Sequence, residues 1–319
     1  AVFARLRERD YDLVEFFGGE FGLVTWRLRR VGQRPFVVAH TDGFELLASE
    51  REDAYAPPRT SSDRLRRWFR RHAHDRLSRA AFTHADAFVT GCELDRKCVL
   101  ELRMFAPERT AVVSPGVDEE YLGAREPAGR ETRIAFTGSW IPRKGIRYVV
   151  ETMNELRRAS PELRLDLYGT AASAEAVLQD FAPEVRERVT VHGRLSNAEL
   201  ADGLSRAMVF LFPAQYEGFG MALAEAMACG CAPVTTPTGF GAELRDGKEA
   251  LLCAFDDVGA MKRSVRALLV DSDLRSRVAA AARRRVAALS WPTQIGKLEA
   301  TYASWLAQRA AHAGSRARA

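Results

Sequence analysis

The sequence predicts an α/β protein of two domains, each built on a parallel sheet. Three observations predict it. Short apolar runs alternate with amphipathic stretches almost throughout, which is the pattern of repeated βα units. The 319 residues are enough for two domains of ordinary size. A stretch rich in Gly, Pro and charge, 115–130, separates a loosely patterned first part from a clearly patterned second part.

The first part carries candidate strands at 12–16, 35–40, 87–90 and 110–113, each a short run rich in Val, Phe, Ala or Thr. Helices are expected over 62–83 and 94–105. After the linker, 133–137 reads as a strand. Residues 144–158 read as a helix, because Ile146, Val149, Val150, Met153 and Leu156 share one face. Strands at 163–168 and 189–192 each end at a glycine, Gly169 and Gly193. Ser196 followed by Glu199 resembles a capping box and opens a helix to about 207. A strand at 209–212 and a helix at 221–228 follow, then strands at 232–236 and 250–254. Three late helices are expected near 257–269, 273–289 and 292–308. The small, basic tail 310–319 reads as frayed. The implied division is 1–120, 121–290, and a final helix with its tail, 291–319.

Composition narrows the class. Hydrophobic residues make up 47% and charged residues 28%, as in soluble globular proteins. No apolar run approaches the roughly 18 residues that span a bilayer, and the opening residues do not read as a secretory leader. Five cysteines without paired spacing (Cys92, Cys98, Cys229, Cys231, Cys253) point to a reduced, cytoplasmic chain without structural zinc. Net charge is +5, unevenly placed: between Arg59 and Arg79 stand eight arginines and two aspartates, with Trp68 and Phe69 at the centre. The segment Arg64–His74 has three readings. It is a peripheral contact with an anionic membrane, a charge-driven nucleic-acid surface, or a helix whose stripe of Leu65, Trp68, Phe69 and Leu77 packs on its own domain. Nucleic acid is the weakest of the three.

The richest stretch is 209–230. An apolar strand ends at Pro213, Glu217 stands in the turn that follows, and a helix begins at Gly220 or Met221 and closes at Gly230. Strand, glycine turn and helix make an anion site, where free N–H groups and the positive helix end point into the crevice at the strand ends. Glu225, more than a turn inside the helix, adds a second carboxylate. Carboxylates accept hydrogen bonds from sugar hydroxyls, so the pair suits phosphates flanked by hydroxyl-rich groups, as in a nucleotide sugar. The plainer reading is a helix with a surface Glu at each end.

These residues resemble the donor-site motif of retaining glycosyltransferase family 4, whose members have the GT-B fold of two Rossmann-like domains facing across a cleft. The likeness runs from about residue 10 to about 308 and is strongest from 133 to 254. It implies that Glu217 contacts the donor sugar, that Gly218, Phe219 and Gly220 lie against the diphosphate, and that Glu225 holds the ribose. Gly116-Val117-Asp118 is similar to the family's interdomain element, and Trp291-Pro292 to the point where its last helix crosses back. Relatives usually carry one or two βα units before the point matching Tyr11, with a glycine-rich loop facing the acceptor. No such loop is present, so the chain is expected to be an N-terminally incomplete copy or a short form.

Two further sites follow. A strand ends at Gly138, and Arg143 and Lys144 stand where a helix begins, so two cations and a helix dipole can neutralise a diphosphate. Lys144-Gly145 matches the family's phosphate-binding pair. Ser139 stands where the family often has an arginine, and Arg143 is the candidate to replace it; two solvated surface cations are the alternative. In the first part, His40-Thr41-Asp42-Gly43 ends a strand. Aligning Gly43 and Glu45 with the family's stretch puts Asp42 at the position of a histidine near the reacting centre. His40, two residues earlier on the same face, is the preferred partner for the donor sugar and Asp42 its rival. A strand-end His beside a turn is the plain alternative. Gly239, in the run Gly239-Phe240-Gly241, matches a loop near the donor pocket or is a simple turn.

The expected function is retaining transfer of a sugar from a UDP- or GDP-linked donor to an acceptor hydroxyl in glycan or glycolipid synthesis. The acceptor is a sugar, a lipid-linked or a small molecule. No cofactor or metal is expected, since Lys144 and helix ends take the place of a cation. Localisation is cytoplasmic, or peripheral at the inner membrane face. The alternative is a non-catalytic nucleotide-sugar-binding protein or partner subunit with a degenerate site.

Overall fold

The computed structural model describes residues 10–30, 34–44, 60–69, 75–125 and 129–316, with 5, 47–48, 52, 55–58 and 72–73 besides. The chain divides into two compact units, Ala1–Ser114 with Gln294–Ala319, and Pro115–Thr293.

The first unit holds a four-stranded parallel sheet in the order β1-β2-β3-β4, made of Leu13–Phe17, Phe36–Thr41, Ala87–Thr90 and Thr110–Val112. Every residue of β2 and β3 is buried, because a parallel sheet covered on both faces needs continuous apolar strands. One face packs Phe36, Val38 and Val89 against Trp305. The other packs Phe88 against Phe44 and Phe82. The helix expected over 62–83 is two helices, Ser61–Phe69 (α2) and Asp75–Thr83 (α3), following α1 at Gly22–Leu28. Residues 72–73 between them take the π pattern, a slip in the hydrogen-bond ladder. The two helices meet different fates: Phe82 of α3 enters the core, whereas α2 buries nothing. Helix α4, Glu93–Glu101, stops before the expected 105 because Arg103 turns left-handed with φ 51°.

The second unit holds six parallel strands in the order β10-β9-β8-β5-β6-β7. They are β5 Glu131–Thr137, β6 Arg164–Tyr168, β7 Val189–Val191, β8 Ala207–Phe212, β9 Ala232–Thr235 and β10 Leu251–Leu252, the last shorter than expected. The helices are α5 Glu119–Leu122, α6 Ile146–Ala159, α7 Ala174–Gln179, α8 Asn197–Arg206, α9 Met221–Ala228, α10 Val258–Val270 and α11 Ser272–Val286. The last helix of the chain, α12, runs Trp291–Arg316 and continues through most of the tail expected to fray. Helix α6 starts later than 144 because Gly145, at φ 72°, breaks it from a 3-10 turn at Pro142–Lys144. Capping explains several starts: Ser196 and Glu199 close a reciprocal capping box, and Asp257 and Asp271 cap α10 and α11. From β5 the strand order runs one way through β6 and β7 and the other way through β8. That reversal makes the carboxyl ends of β5 and β8 the crevice where an α/β sheet takes a ligand.

Candidate functional site

Two loops meet at that crevice. The loop after β5 begins at Gly138, where an added Cβ would meet the stem of Lys144 at 3.4 Å. It ends at Gly145, where a Cβ would lie 1.9 Å from the Pro213 carbonyl oxygen, so only glycine lets the loop after β8 approach. The loops are stitched together: Gln215 N donates to Arg143 O at 2.8 Å, and Arg143 Nη1 donates to Tyr216 O at 3.0 Å. Lys144 Nζ then lies 2.6 Å from Glu217 Oε1, with Arg143 Nη1 at 3.5 Å from the same oxygen.

Glu217 is buried and fixed at both ends. Its N–H donates to Thr238 Oγ1 at 2.9 Å. Gly239, left-handed at φ 52°, closes on the same turn, where a Cβ would strike Phe219 O at 2.4 Å. Phe240 N donates to Phe219 O at 2.7 Å, and the two rings stack with centroids 5.0 Å apart. Phe219 is itself buried; its ring holds the turn in shape. Gly220, at φ 98°, leads into α9 with no side-chain cap, so the first N–H groups of the helix are open to an acceptor.

Glu225 is in the opposite condition. Its carboxyl makes no hydrogen bond or ion pair among the described residues, and burial, with the nearby Asp118, pushes its pKa up to about 7. Asp118 is held in place: Oδ1 accepts from Trp291 Nε1 and Oδ2 from Asn197 Nδ2, both at 2.7 Å. The buried ring of Tyr121 is close by. Asp118, Thr238 and Gln215 were not singled out as site residues by sequence reasoning. The Gly116-Val117-Asp118 element was a usable signal for Asp118. Nothing local marks Thr238 or Gln215, since both act through the turn of Glu217.

The first unit holds His40 and Asp42. His40 is buried at the end of β2, its Nδ1 2.6 Å from Glu15 Oε1 and its ring stacked on Phe17 at 4.4 Å. Tyr302 Oη donates to the same Glu15 oxygen. Burial raises the Glu15 pKa, but the hydrogen bonds from His40 and Tyr302 outweigh it and carry the carboxyl below its ordinary value. Asp42 is exposed, on a turn that Thr41 closes by accepting from Gly43 N at 3.1 Å. Glu45 lies outside the described residues. Asp95, unremarked in the sequence, is fully buried, accepts from Phe44 N at 3.0 Å, and is raised by burial to about 7.

Of the basic segment, Arg70, Arg71 and His74 lie outside the described residues. The expectation that Leu65, Trp68 and Phe69 pack on their own domain is corrected: they are 58%, 53% and 58% exposed. The side chain of Leu77 is not among those described. Among the described residues no helix is long and apolar enough to cross a membrane, and no three His, Cys, Asp or Glu are grouped to hold a metal.

The family described as "Glycosyl transferases group 1" matches residues 131–271. D-inositol 3-phosphate glycosyltransferase of Stackebrandtia nassauensis is 28% identical over 246 residues, 71% of this chain and 56% of that protein. MMP alpha-(1->4)-mannosyltransferase of Mycolicibacterium hassiacum is 31% identical over 212 residues, 65% of this chain and 51% of that protein. The chain thus spans about half the length of the curated relatives it matches. Among solved structures, sucrose-phosphate synthase from Thermosynechococcus elongatus superposes with a TM-score of 0.75 at 21% identity, over 97% of this chain and 77% of that one. Anabaena HepE in complex with UDP gives 0.72 at 17%, over 95% and 81%. The fold is therefore GT-B, and residues 131–271 are similar to the glycosyl transferases group 1 family.

Proposed function

We propose that this protein is a retaining glycosyltransferase that moves a sugar from a UDP- or GDP-linked donor to an acceptor hydroxyl in glycan or glycolipid synthesis. One observation carries the reading. At the carboxyl ends of β5 and β8 stand a cation, Lys144, a buried carboxylate, Glu217, an uncapped glycine-led helix start, and a second carboxyl, Glu225, without a partner among the described residues. Phosphate, sugar and ribose each find a complementary group there. Family relatives support the substrate class: one is named a GDP-mannose-dependent mannosyltransferase, and HepE was solved with UDP-glucose.

Without ligand, Lys144 is held by Glu217. A donor diphosphate draws Lys144 Nζ to its oxygens and frees Glu217 for the sugar hydroxyls. Arg143, Lys144 and the N–H groups of Gly218, Phe219 and Gly220 then stabilise the charge that develops on the leaving phosphate. Retention follows front-face attack. The C1–oxygen bond to the diphosphate breaks, the bond to the acceptor oxygen forms on the same face, and the acceptor proton passes to the leaving phosphate oxygen. Glu225 orients the ribose, and Gly138 and Gly239 let the backbone approach the ligand. In the first unit, which takes the acceptor, His40 is the preferred partner of the donor sugar and Asp42 its rival. The exposed Trp68 and Phe69 on basic α2 supply peripheral contact with an anionic membrane, on the cytoplasmic side.

A second reading, a non-catalytic nucleotide-sugar-binding subunit, is favoured by Ser139 standing where the family often has an arginine. The experiment is calorimetric titration with UDP, GDP and ADP on the chain and on Glu225→Ala, followed by donor turnover with the tightest base. Binding lost in the variant, with turnover giving a product of unchanged anomeric configuration, supports transfer. Binding without turnover supports the second reading. No binding by a folded chain overturns both.

A further inference from the structure

A cavity of about 710 Å³ opens in the second unit at the far end of β5 and α9 from the donor crevice. Arg130, just ahead of β5, and Arg275, Arg283 and Arg284 of α11 line it, and among the described residues no Asp or Glu does. The exposed Ala280 of α11 leaves the space between them open.

Three of the four guanidinium groups are anchored by backbone carbonyls. Arg130 donates to Ser205 O, Ala207 O and Cys229 O at 2.6, 2.8 and 3.0 Å. Its fit depends on Gly230, where a Cβ would lie 2.6 Å from Arg130 Nη2. Arg275 Nη1 donates to Leu268 O at 2.7 Å and Leu269 O at 3.2 Å, and Arg283 Nη2 to Ala124 O at 2.6 Å. Arg284 is exposed and makes no hydrogen bond among the described residues, and none of the four has a carboxylate within ion-pair distance among them. A guanidinium has five N–H donors, so Arg275 and Arg283, each anchored through one nitrogen, keep others fixed in direction, whereas Arg130, anchored through two, contributes mainly its charge. Four like charges around one space repel, and carbonyl anchors do not neutralise them. A multiply charged phosphate does, through paired N–H···O bonds suited to arginine.

We propose that this cavity is a second anion site, separate from the donor crevice, that binds a compact ligand carrying two or more phosphate charges. Its volume is in the usual range of small-molecule sites, about 300–1,000 Å³. The ligand is a soluble phosphate ester or the headgroup of a phospholipid, which present the same chemistry.

The test is calorimetric titration of inorganic tripolyphosphate into the full chain at fixed ionic strength. Wild type is expected to show two classes of site, and Lys144→Ala to retain the one on α11. Arg284→Glu and Ala280→Glu, both at exposed positions, are each expected to weaken that class about tenfold or more. Arg194→Glu, an equal charge reversal at an exposed arginine outside the cavity, is expected to leave it within about twofold. The proposal is overturned if neither α11 variant changes binding, or if Arg194→Glu weakens it as much as Arg284→Glu does. Flotation with phosphatidic acid vesicles then separates the sources. Capture lost in the same two variants assigns the headgroup, and no capture assigns the soluble ester.

Discussion

Glu217 and Glu225 belong to one short motif, yet their surroundings are opposite. Glu217 is pinned by its own N–H and paired with Lys144 at 2.6 Å. Glu225, about one turn inside α9, has no side-chain partner among the described residues, lies near Asp118, and is raised to about 7. A paired carboxylate in a ligand-free site is a stored arrangement: its cation is handed over when an anion arrives. An unpaired, partly buried carboxyl is a standing deficit that hydroxyl donors relieve. On the proposed function, the first is set for charge and the second for neutral hydroxyls.

The contrast depends on loop stitching, so its severest test is Gly145→Ala. The new Cβ would meet Pro213 O at 1.9 Å in a left-handed backbone. Unfolding in denaturant should show a loss of about 3 kcal/mol or more; a loss below about 1 kcal/mol would mean that the two loops are free to part. Next is Lys144→Ala, which leaves buried Glu217 with only Arg143, at 3.5 Å, as a cation. Nucleotide affinity by calorimetry should fall about a hundredfold, and an unchanged affinity would break the pairing of roles.

Glu225→Gln addresses the other half. With the folded pKa raised, stability from this group is full at low pH. It is lost as pH rises from the ordinary carboxylate range through about 7. The wild type should therefore weaken relative to Glu225→Gln over that window, by ~3 kcal/mol at most. Asp95, raised in the same way, titrates in both proteins and cancels in the difference. Thermal melts from pH 4.5 to 8 measure it, and parallel curves would refute the unpaired state. The smallest effect expected is from Asp118→Asn, which removes the lesser of the two causes. It should bring the folded pKa down and reduce the height of that difference curve in proportion, by the smaller part only, because burial remains.

Alternation of apolar runs with amphipathic helices was enough to read parallel sheets, since strands buried on both faces leave a continuous apolar signature. Val209 to Gly230 was legible for a related reason: glycine, cap and helix period are local. Helix α2 was legible as a helix but not in its exposure, because whether Trp68 is covered depends on what lies opposite. The His40–Glu15–Tyr302 cluster was invisible, as its third member comes from the last helix of the chain. The arginines of α11 carry no local signal of a site, because Arg130, which lines the same cavity, comes from far away in the chain.

By itself, then, the sequence determined what depends on near neighbours: the run of strands and the longer helices, the helix close at Gly230, the capping box at Ser196, and the identity of the carboxylates in the motif. The tertiary structure alone decided which of those carboxylates is paired and which is stranded. Charge pairing and desolvation are set by distances of a few ångströms between segments far apart in sequence, and spacing along the chain carries no record of them.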